Sequence, residues 1–304
     1  LFWEMGRPNF QSLRVRRVRD DTERSTTLVT GAVDLIPGAP LLDIPTLEAE
    51  PSVRLVGGPS NRLCLMHVNL HAPVLRDVRV RRLLSTAIDR QRLVQVATAG
   101  QAVGTGLLIP EDSWAHGDVE ETPQRAAEDV RAALAELGIR SDLPLRLITN
   151  NADATLANAA VVLQEQLAYC GIALSVDLLE DDDFERAVSL GDYDLLAGYT
   201  RPWRDPHELV RPLLASDGSG NYSGYASPEV DGLIRGATIV SDREIRQEHY
   251  TRLEEQVQVD VPVIVLFRPH YFDAMTQRLD GYALLPPVTS RGLLPATLRP
   301  ADNA

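Results

Sequence analysis

Hydrophobic residues follow two different spacings along the middle of the chain. Ile172, Leu174, Val176 and Leu178 alternate with polar residues, which is typical of a strand with one buried face. Similar short apolar runs alternate with longer amphipathic segments on both sides. The predicted order is strand 143–149, helix 153–170, strand 172–178, helix 183–190 and strand 193–199. This β-α-β-α-β order predicts an α/β fold with parallel neighbouring strands and right-handed crossovers.

Further strands are predicted on both sides of this region. In residues 11–19, Leu13 and Val15 alternate with arginines, which fits a half-exposed strand better than a phosphate-binding patch because acidic residues follow at once. Residues 62–70 and 261–267 are largely apolar, as buried strands are. Residues 37–59 contain five prolines and three glycines, so they are predicted to be rich in loops.

Capping residues mark further helices. Each of these helices has an acidic or hydroxyl residue at its N-cap or a proline in its first turn. The first of these helices is expected to end before Gly100, and the second before Gly138. The helices predicted in this way begin at Asp77, Thr122, Pro228 and Asp242.

The strand order also predicts where a ligand would bind. In open α/β sheets, ligands usually lie outside the carboxyl ends of the strands. That rule points to the segments that follow Thr149 and Tyr199. The second of these segments, residues 200–207, is a polar loop with one large aromatic residue, Trp203.

Composition narrows the possible functions. The 304 residues suggest about two domains, at roughly 150 residues per domain. All 30 basic residues are arginine and 43 residues are acidic, so the net charge is −13, which argues against a general nucleic-acid binder. No apolar run approaches the roughly 18 residues of a membrane span. The two cysteines, Cys64 and Cys170, cannot form a disulfide framework and are predicted to be small buried residues.

No residue pattern nominates a catalytic centre, a metal site or a cofactor site. His67 and His71 are four residues apart, which suits metal binding on a helix, but this segment is predicted to be a strand and a third ligand is missing. The acidic run at 180–183 lacks the glycine and the distal glutamate of a calcium loop. A solvated helix N-terminus explains that run better, so no catalytic residue, metal or cofactor is predicted.

Three motifs, in this order, resemble one protein family. The first spans residues 69–90, with Asp-Val-Arg-Val-Arg at 77–81 and Ala-Ile-Asp-Arg at 87–90. The second is Gly-Asp-Tyr-Asp-Leu at 191–195, followed by Asp-Pro at 205–206. The third spans 221–234. Together they resemble extracytoplasmic solute-binding protein family 5, the dipeptide-, oligopeptide- and nickel-binding proteins of ABC transporters, from about residue 3 to residue 285.

The resemblance implies a two-lobed periplasmic-binding-protein-like (type II) fold in which hinged lobes close on a ligand. Residues 1–66 would be a segment of the first lobe, 67–263 the ligand-binding second lobe, and 264–304 the return to the first lobe. Members of the family carry an upstream region with the export signal and the start of the first lobe. The chain is therefore expected to be an N-terminally incomplete copy with part of the first lobe missing.

The same resemblance suggests which residues contact the ligand. Trp203 can supply a flat apolar surface or cover a cation. Asp205 can accept hydrogen bonds from a ligand or cap a helix, and the sequence leaves both roles open. Tyr222 fits loop packing better than ligand contact. The predicted ligand-binding residues are Asn69, Tyr199, Trp203, Asp205, Asn221 and Tyr222.

Two departures from the peptide-binding pattern bear on the ligand. Pro202 stands where those proteins place an acidic residue for the peptide amine. Residues 150–153 contain no arginine for the peptide carboxylate. A zwitterionic dipeptide would lack both charge partners in this lobe, so a neutral or cationic ligand, a longer peptide or a sugar fits at least as well.

The leading hypothesis is a non-enzymatic solute-binding component of an ABC importer. Its partners would be a small solute and the permease subunits, without nucleic acid. Its location would be extracytoplasmic, in the periplasm or as a cell-surface lipoprotein held by an upstream lipid anchor. The alternative is a cytosolic ligand-sensing domain of a transcription regulator that uses the same binding fold.

Overall fold

The computed structural model describes residues 9–10, 12–18, 20–139, 142–284, 293 and 295–299. The chain divides into two compact units, which are treated separately. The small unit comprises Leu1–Ser60 and His270–Ala304, and the large unit comprises Asn61–Pro269. These boundaries differ from the lobe boundaries predicted after residues 66 and 263, because the strands at both positions belong to the sheet of the large unit. The assignment of the segments to lobes stays a prediction.

The described helices and strands are numbered in chain order. The first ten are α1 (Asp21–Val29), β1 (Leu35–Ile36), α2 (Ile44–Glu48), β2 (Val53–Pro59), β3 (Cys64–Val68), α3 (Val78–Thr86), α4 (Arg90–Ala97), β4 (Ala102–Gly104), α5 (Ala127–Glu136) and β5 (Leu143–Asn150). The others are α6 (Ala154–Tyr169), β6 (Ile172–Leu179), α7 (Asp181–Leu190), β7 (Leu195–Tyr199), α8 (Pro206–Leu214), α9 (Pro228–Ile239), α10 (Arg243–Asp260), β8 (Val263–Thr276), β9 (Leu279–Asp280) and β10 (Thr297–Leu298).

A mixed sheet forms the centre of the large unit. Its strands lie in the order β8-β3-β7-β5-β6, and β4 also pairs with β8. Strand β5 is parallel to both β6 and β7, which confirms the parallel neighbours predicted for the middle of the chain. Strand β3 runs antiparallel to β7 and β8, and the order of predicted elements did not indicate this.

Helices cover both faces of this sheet. On β3, Cys64, Met66 and Val68 pack into a core with α3, α4, α5 and α6. Leu63 and Leu65 point to the opposite face and pack into a second core with α8, α9 and α10. Alternate residues of one strand therefore supply two separate cores, and this explains why the segment has no polar face.

Most helix termini follow the capping signals in the sequence. Asp77, Asp153, Ser227 and Asp242 each accept a hydrogen bond from a backbone N–H in the first turn of the helix that follows. Gly191 ends α7 in the left-handed conformation with φ 65°, which costs a glycine little because it has no Cβ. The acidic run at 180–183 forms the first turn of α7, as predicted.

Two helix predictions were wrong in their boundaries. Helix α5 begins at Ala127 rather than near Thr122, because the Thr122 hydroxyl donates to Gln258 Oε1 on α10 instead of capping a helix. The single helix predicted after Asp77 is two helices, α3 and α4. Its interruption coincides with Asp89, whose backbone N–H donates to the side chain of Gln166 and whose carboxylate caps α4.

Two predictions in the small unit were also wrong. Residues 12–18 of the predicted strand have no regular secondary structure, and Val15 is 89% exposed, while residues 11 and 19 lie outside the described part. The region 37–59, predicted to be rich in loops, contains α2 and β2. Pro45 fits within α2 because it stands in the first turn, where a missing N–H costs no helical hydrogen bond.

The small unit has its own core. Strands β1 and β2 pair antiparallel with residues 270–276 of β8. Leu28, Ile36, Ile44, Leu47 and Ala274 are buried together beside this sheet.

Across the described part of the chain, no helix combines the length and apolar character that a membrane crossing requires.

Candidate functional site

Polar and aromatic side chains gather at the carboxyl ends of β5 and β7 in the large unit. Because β3 is antiparallel to β7, the start of β3 meets the end of β7, and Cys64 pairs with Tyr199. We define the strand-end face by five residues from three separate segments of the chain. They are Arg62, Asp153, Thr155, Tyr199 and Trp203.

Arg62 and Tyr199 form the centre of the strand-end face. The Arg62 guanidinium carbon lies 4.5 Å from the centroid of the Tyr199 ring, in cation–π geometry. Arg62 Nε donates to the Thr200 carbonyl at 3.2 Å, and the Leu63 N–H donates to Thr200 Oγ1 at 3.0 Å. These contacts fix the loop that follows β7 against the start of β3.

The Tyr199 hydroxyl lies in a buried polar cluster. Burial raises its pKa well above the usual range for tyrosine, and the nearby Cys64 and Asp153 raise it further. Arg62 and a hydrogen bond with Thr155 act in the opposite direction. The phenol therefore stays protonated at neutral pH and can both donate and accept a hydrogen bond.

Trp203 is only 6% exposed and packs into the second core of the large unit. The Trp203 backbone N–H donates to the Asn61 carbonyl at 3.2 Å, and Asn61 is the residue before Arg62. The indole Nε1 is buried and has no hydrogen-bond partner within the described residues. A buried donor without an acceptor costs about 1–3 kcal/mol, so this N–H is an unsatisfied donor at the edge of the second core.

Asp205 serves as a helix cap, one of the two roles that the sequence left open. Its Oδ1 accepts from the His207 backbone N–H at 3.0 Å at the start of α8. Arg246 Nη2 donates to both carboxylate oxygens, at 2.8 and 2.9 Å. Both oxygens are therefore already bound by protein groups.

The other three predicted ligand residues lie at the opposite edge of the sheet. Asn69 follows the far end of β3, roughly 17 Å from the Tyr199 end at about 3.4 Å per residue. Its side-chain amide donates to the carbonyls of Gly191 and Tyr193. Tyr199 and Trp203 thus lie at one end of these strands, with Tyr199 against the first core and Trp203 in the second, and Asn69 lies at the other end.

Asn221 and Tyr222 organise the loop beside Asn69. The Asn221 amide donates to the carbonyls of Ala215 and Tyr225, and its oxygen accepts from the Tyr225 N–H. The Tyr222 ring lies edge-on to the His67 ring, with centroids 5.0 Å apart. Tyr222 packs in the loop, as the sequence suggested, although its ring is still partly exposed.

Sequence reasoning missed Arg62, Asp153 and Thr155. Asp153 is the first acidic residue after β5, so the rule about carboxyl ends of strands was a signal that could have found it. Arg62 precedes β3, and only the antiparallel pairing of β3 with β7 brings it to this edge. Pairing between strands far apart in sequence leaves no local pattern that would reveal such a neighbour.

The loop after β7 adds positive charge beside this face. Arg201 and Arg204 are exposed, and in the described part of the chain neither guanidinium forms an ion pair, although the Arg204 backbone N–H donates to the Glu208 carboxylate. Both cysteines are buried, as predicted, and neither forms a disulfide in the structure; burial raises the pKa of the Cys64 thiol. Within the described ranges, no three His, Cys, Asp or Glu side chains are grouped to hold a metal ion.

Comparisons with known proteins match this chain to solute-binding proteins. A family model described as "Bacterial extracellular solute-binding proteins, family 5 Middle" matches residues 1–221. The probable D,D-dipeptide-binding periplasmic protein DdpA of Escherichia coli is 26% identical over 287 residues, which are 92% of this chain and 55% of that protein. The oligopeptide-binding protein AppA of Bacillus subtilis is 24% identical over 301 residues, covering 92% of this chain and 55% of AppA.

Solved structures agree on the fold. The periplasmic binding protein DppA of Helicobacter pylori, in complex with the peptide STSA, matches with a TM-score of 0.84 and 20% identity over 93% of this chain and 56% of DppA. AgaA of Agrobacterium tumefaciens, in complex with agropinic acid, matches with a TM-score of 0.82 and 19% identity over 94% of this chain and 60% of AgaA. The chain therefore has the fold of type II periplasmic binding proteins and spans about half the length of the curated relatives it matches.

Proposed function

Because this chain belongs to family 5 of the bacterial extracellular solute-binding proteins, we propose that it is part of the solute-binding component of an ABC importer. The whole protein captures a peptide or another small solute and delivers it to the permease subunits in the membrane. The observation that carries this proposal is the family match over residues 1–221, a range that includes the whole strand-end face.

The proposal extends to location and to chemistry. The family consists of solute-binding proteins rather than enzymes, and its members are periplasmic. For this protein we propose an extracytoplasmic location and no catalytic step. The relatives named above are described as binding or periplasmic proteins, and none of those names describes a transcription regulator.

Tyr199, Trp203 and Arg62 are the proposed ligand contacts of the large unit. The protonated Tyr199 phenol offers a hydrogen bond, and the unpaired Trp203 indole N–H needs an acceptor. Arg62, with Arg201 nearby in the loop, supplies positive charge that the segment after β5 lacks. These contacts favour a solute with carbonyl or carboxylate oxygens, such as a peptide.

The test is ligand-induced thermal stabilisation of the complete protein. The probes are trialanine, its C-terminal amide, maltose and Ni²⁺. At a free concentration about 100 times Kd, a bound ligand raises the free energy of unfolding by about 2.7 kcal/mol. We expect a peptide to stabilise the protein and the free carboxylate to bind better than the amide.

Arg62→Gln should remove the preference for the carboxylate over the amide, whereas Arg211→Gln serves as a matched control. Arg211 lies on α8 and pairs with the exposed Asp217, away from the strand-end face. A complete protein that no peptide, sugar or metal stabilises would contradict the importer proposal. Equal effects of the two arginine variants would remove Arg62 from the site.

A further inference from the structure

A cavity of about 270 Å³ lies in the large unit, and none of its lining residues belongs to the strand-end face. The end of α10 and the start of β8 supply one wall, which consists of five valines and Gln258. The valines are Val257, Val259, Val261, Val263 and Val265. The volume lies just below the roughly 300–1,000 Å³ of drug-sized ligand pockets, so it suits a ligand of few atoms.

A buried arginine lines the same cavity. The Arg90 side chain is only 10% exposed. Its Nε donates to the Val265 carbonyl at 2.9 Å, and its Nη1 lies 3.5 Å from the Ser85 carbonyl. In the described part of the chain, Nη2 has no hydrogen-bond partner, so the cavity side of the guanidinium keeps donors for a further acceptor.

Glu121 neutralises Arg90 only loosely. Its Oε1 lies 3.6 Å from Arg90 Nη1, which is too long for a hydrogen bond, and its side chain is 37% exposed. Gln258 fixes the backbone on both sides of Glu121 through the Glu120 carbonyl and the Thr122 N–H. The carboxylate is therefore held near Arg90 by its backbone rather than by direct bonding.

Arg82 adds a second positive charge. Its Nε donates to the Val259 carbonyl at 2.7 Å, and no carboxylate pairs with it among the residues described. The side chains that line the cavity thus carry two arginine charges against the single charge of Glu121. One positive charge is left beside the valines, and a monoanion with a short hydrocarbon chain would match both features.

The backbone of the valine wall is strained. Val261 has φ 48° and ψ 56°, in the left-handed region that a β-branched residue rarely adopts. Such strain costs on the order of 1–3 kcal/mol and is concentrated at functional sites. The strained residue, the buried arginine and the cavity coincide.

We propose that this cavity binds a small aliphatic monocarboxylate, with the carboxylate on Arg90 and Arg82 and the alkyl group against the valines. Arg90 Nη2 donates to one carboxylate oxygen, and the free Nη groups of Arg82 serve the other. The site lies wholly within the large unit and is independent of solute capture at the strand-end face.

The probe is 4-methylpentanoate, compared with its neutral amide and with leucine by calorimetry on the complete protein. We expect the carboxylate to bind with a Kd in the millimolar range or tighter, and the amide at least about tenfold more weakly because it lacks the charge. No binding of the carboxylate, equal binding of the amide, or tighter binding of leucine would each overturn the proposal.

Variants of exposed residues test the contribution of charge to carboxylate binding without creating a cavity in the hydrophobic core. Glu121→Gln removes a competing negative charge and should tighten carboxylate binding about fivefold, as expected for like charges a few ångströms apart near a surface. Val259→Glu, at a side chain that is 46% exposed, adds a negative charge to the wall and should weaken binding about tenfold.

Glu120→Gln is the matched control. It makes the same charge change one residue away, at a residue whose carbonyl, but not its side chain, contacts Gln258. Carboxylate affinity within about twofold of the unmodified protein is expected, because Glu120 does not line the cavity. If Glu120→Gln tightened carboxylate binding as much as Glu121→Gln, the change in affinity would come from the overall charge of the protein. That result would contradict the proposed site.

Discussion

Arg81 illustrates how a single residue of the Asp-Val-Arg-Val-Arg motif serves the fold. Its guanidinium is buried and donates to the carbonyls of Leu75, Arg76, Asp260 and Val261. Leu75 and Arg76 precede α3, whereas Asp260 and Val261, at the end of α10, lie 179 and 180 residues from Arg81. Arginine suits this position because its planar fork presents several donors at fixed angles, which lysine does not.

Glu254 is a buried carboxyl group whose titration affects stability. Its oxygens accept hydrogen bonds from the backbone N–H groups of Leu108 and Ile109 at 3.0 and 2.9 Å. Burial nevertheless raises its pKa to about 7. Because the pKa is higher in the folded state than in the unfolded chain, this group stabilises the fold most below pH about 4.5 and loses that contribution as the pH rises through 7.

We predict that raising the pH from 5 to 8 removes about 2–3 kcal/mol of stability through Glu254, at about 1.4 kcal/mol per pKa unit. Urea unfolding at several pH values should show this slope in the unmodified protein and not in Glu254→Gln. The exposed neighbour Glu255 gives a control, and Glu255→Gln should keep the slope. A slope that persists in Glu254→Gln would assign it to other groups.

At the scale of the elements, the break between α3 and α4 depends on Asp89. Its Oδ1 accepts from the Arg92 N–H at 2.9 Å and thereby caps α4. Its backbone N–H and carbonyl bind the Gln166 side chain of α6, with distances of 3.0 and 3.1 Å. Asp89 therefore both begins α4 and joins it to a neighbouring helix.

Asp89→Ala should lower the free energy of unfolding by about 1 kcal/mol, because the α4 cap is lost while the backbone bonds to Gln166 remain. Asp89→Asn should recover most of this loss, since asparagine is an equally good N-cap. Chemical denaturation of both variants measures the difference. Equal destabilisation by alanine and asparagine would show that the cap does not carry the effect.

At the scale of the whole molecule, burial is uneven along the chain. Strands β3 and β7 lie inside the sheet of the large unit, and β3 supplies both of its cores. Residues 12–18 of the small unit are mostly exposed, and within the described structure their backbone N–H groups form no hydrogen bonds. These two regions should therefore differ strongly in local stability.

We predict that hydrogen exchange monitored by mass spectrometry separates the two regions by several orders of magnitude. Peptides covering β3 and β7 should exchange slowest, at the rate of global unfolding. Peptides covering residues 12–18 should exchange within seconds. Protection of residues 12–18 comparable to that of β3 would mean that this segment is paired in solution.

Much of the large unit could be predicted from the chain alone. The strands and helices of residues 143–199 and the caps at Asp77 and Asp153 depend on neighbours a few residues away. The parallel pairing of the strands follows from the alternating order of strands and helices. Apolar periodicity and capping are local, so the sequence displays them directly. The motifs likewise indicated the family, which residues 1–221 match.

The tertiary structure decided what depends on distant pairing. The antiparallel insertion of β3 between β7 and β8 brings Arg62 to Tyr199 and leaves Asn69 at the opposite edge. The tertiary structure also brings Arg90 to the Val265 carbonyl of β8 and Arg246 of α10 to Asp205 at the start of α8. Each of these contacts joins residues separated by long stretches of chain. Their energies depend on packing and burial in three dimensions, and no local spacing in the sequence records them.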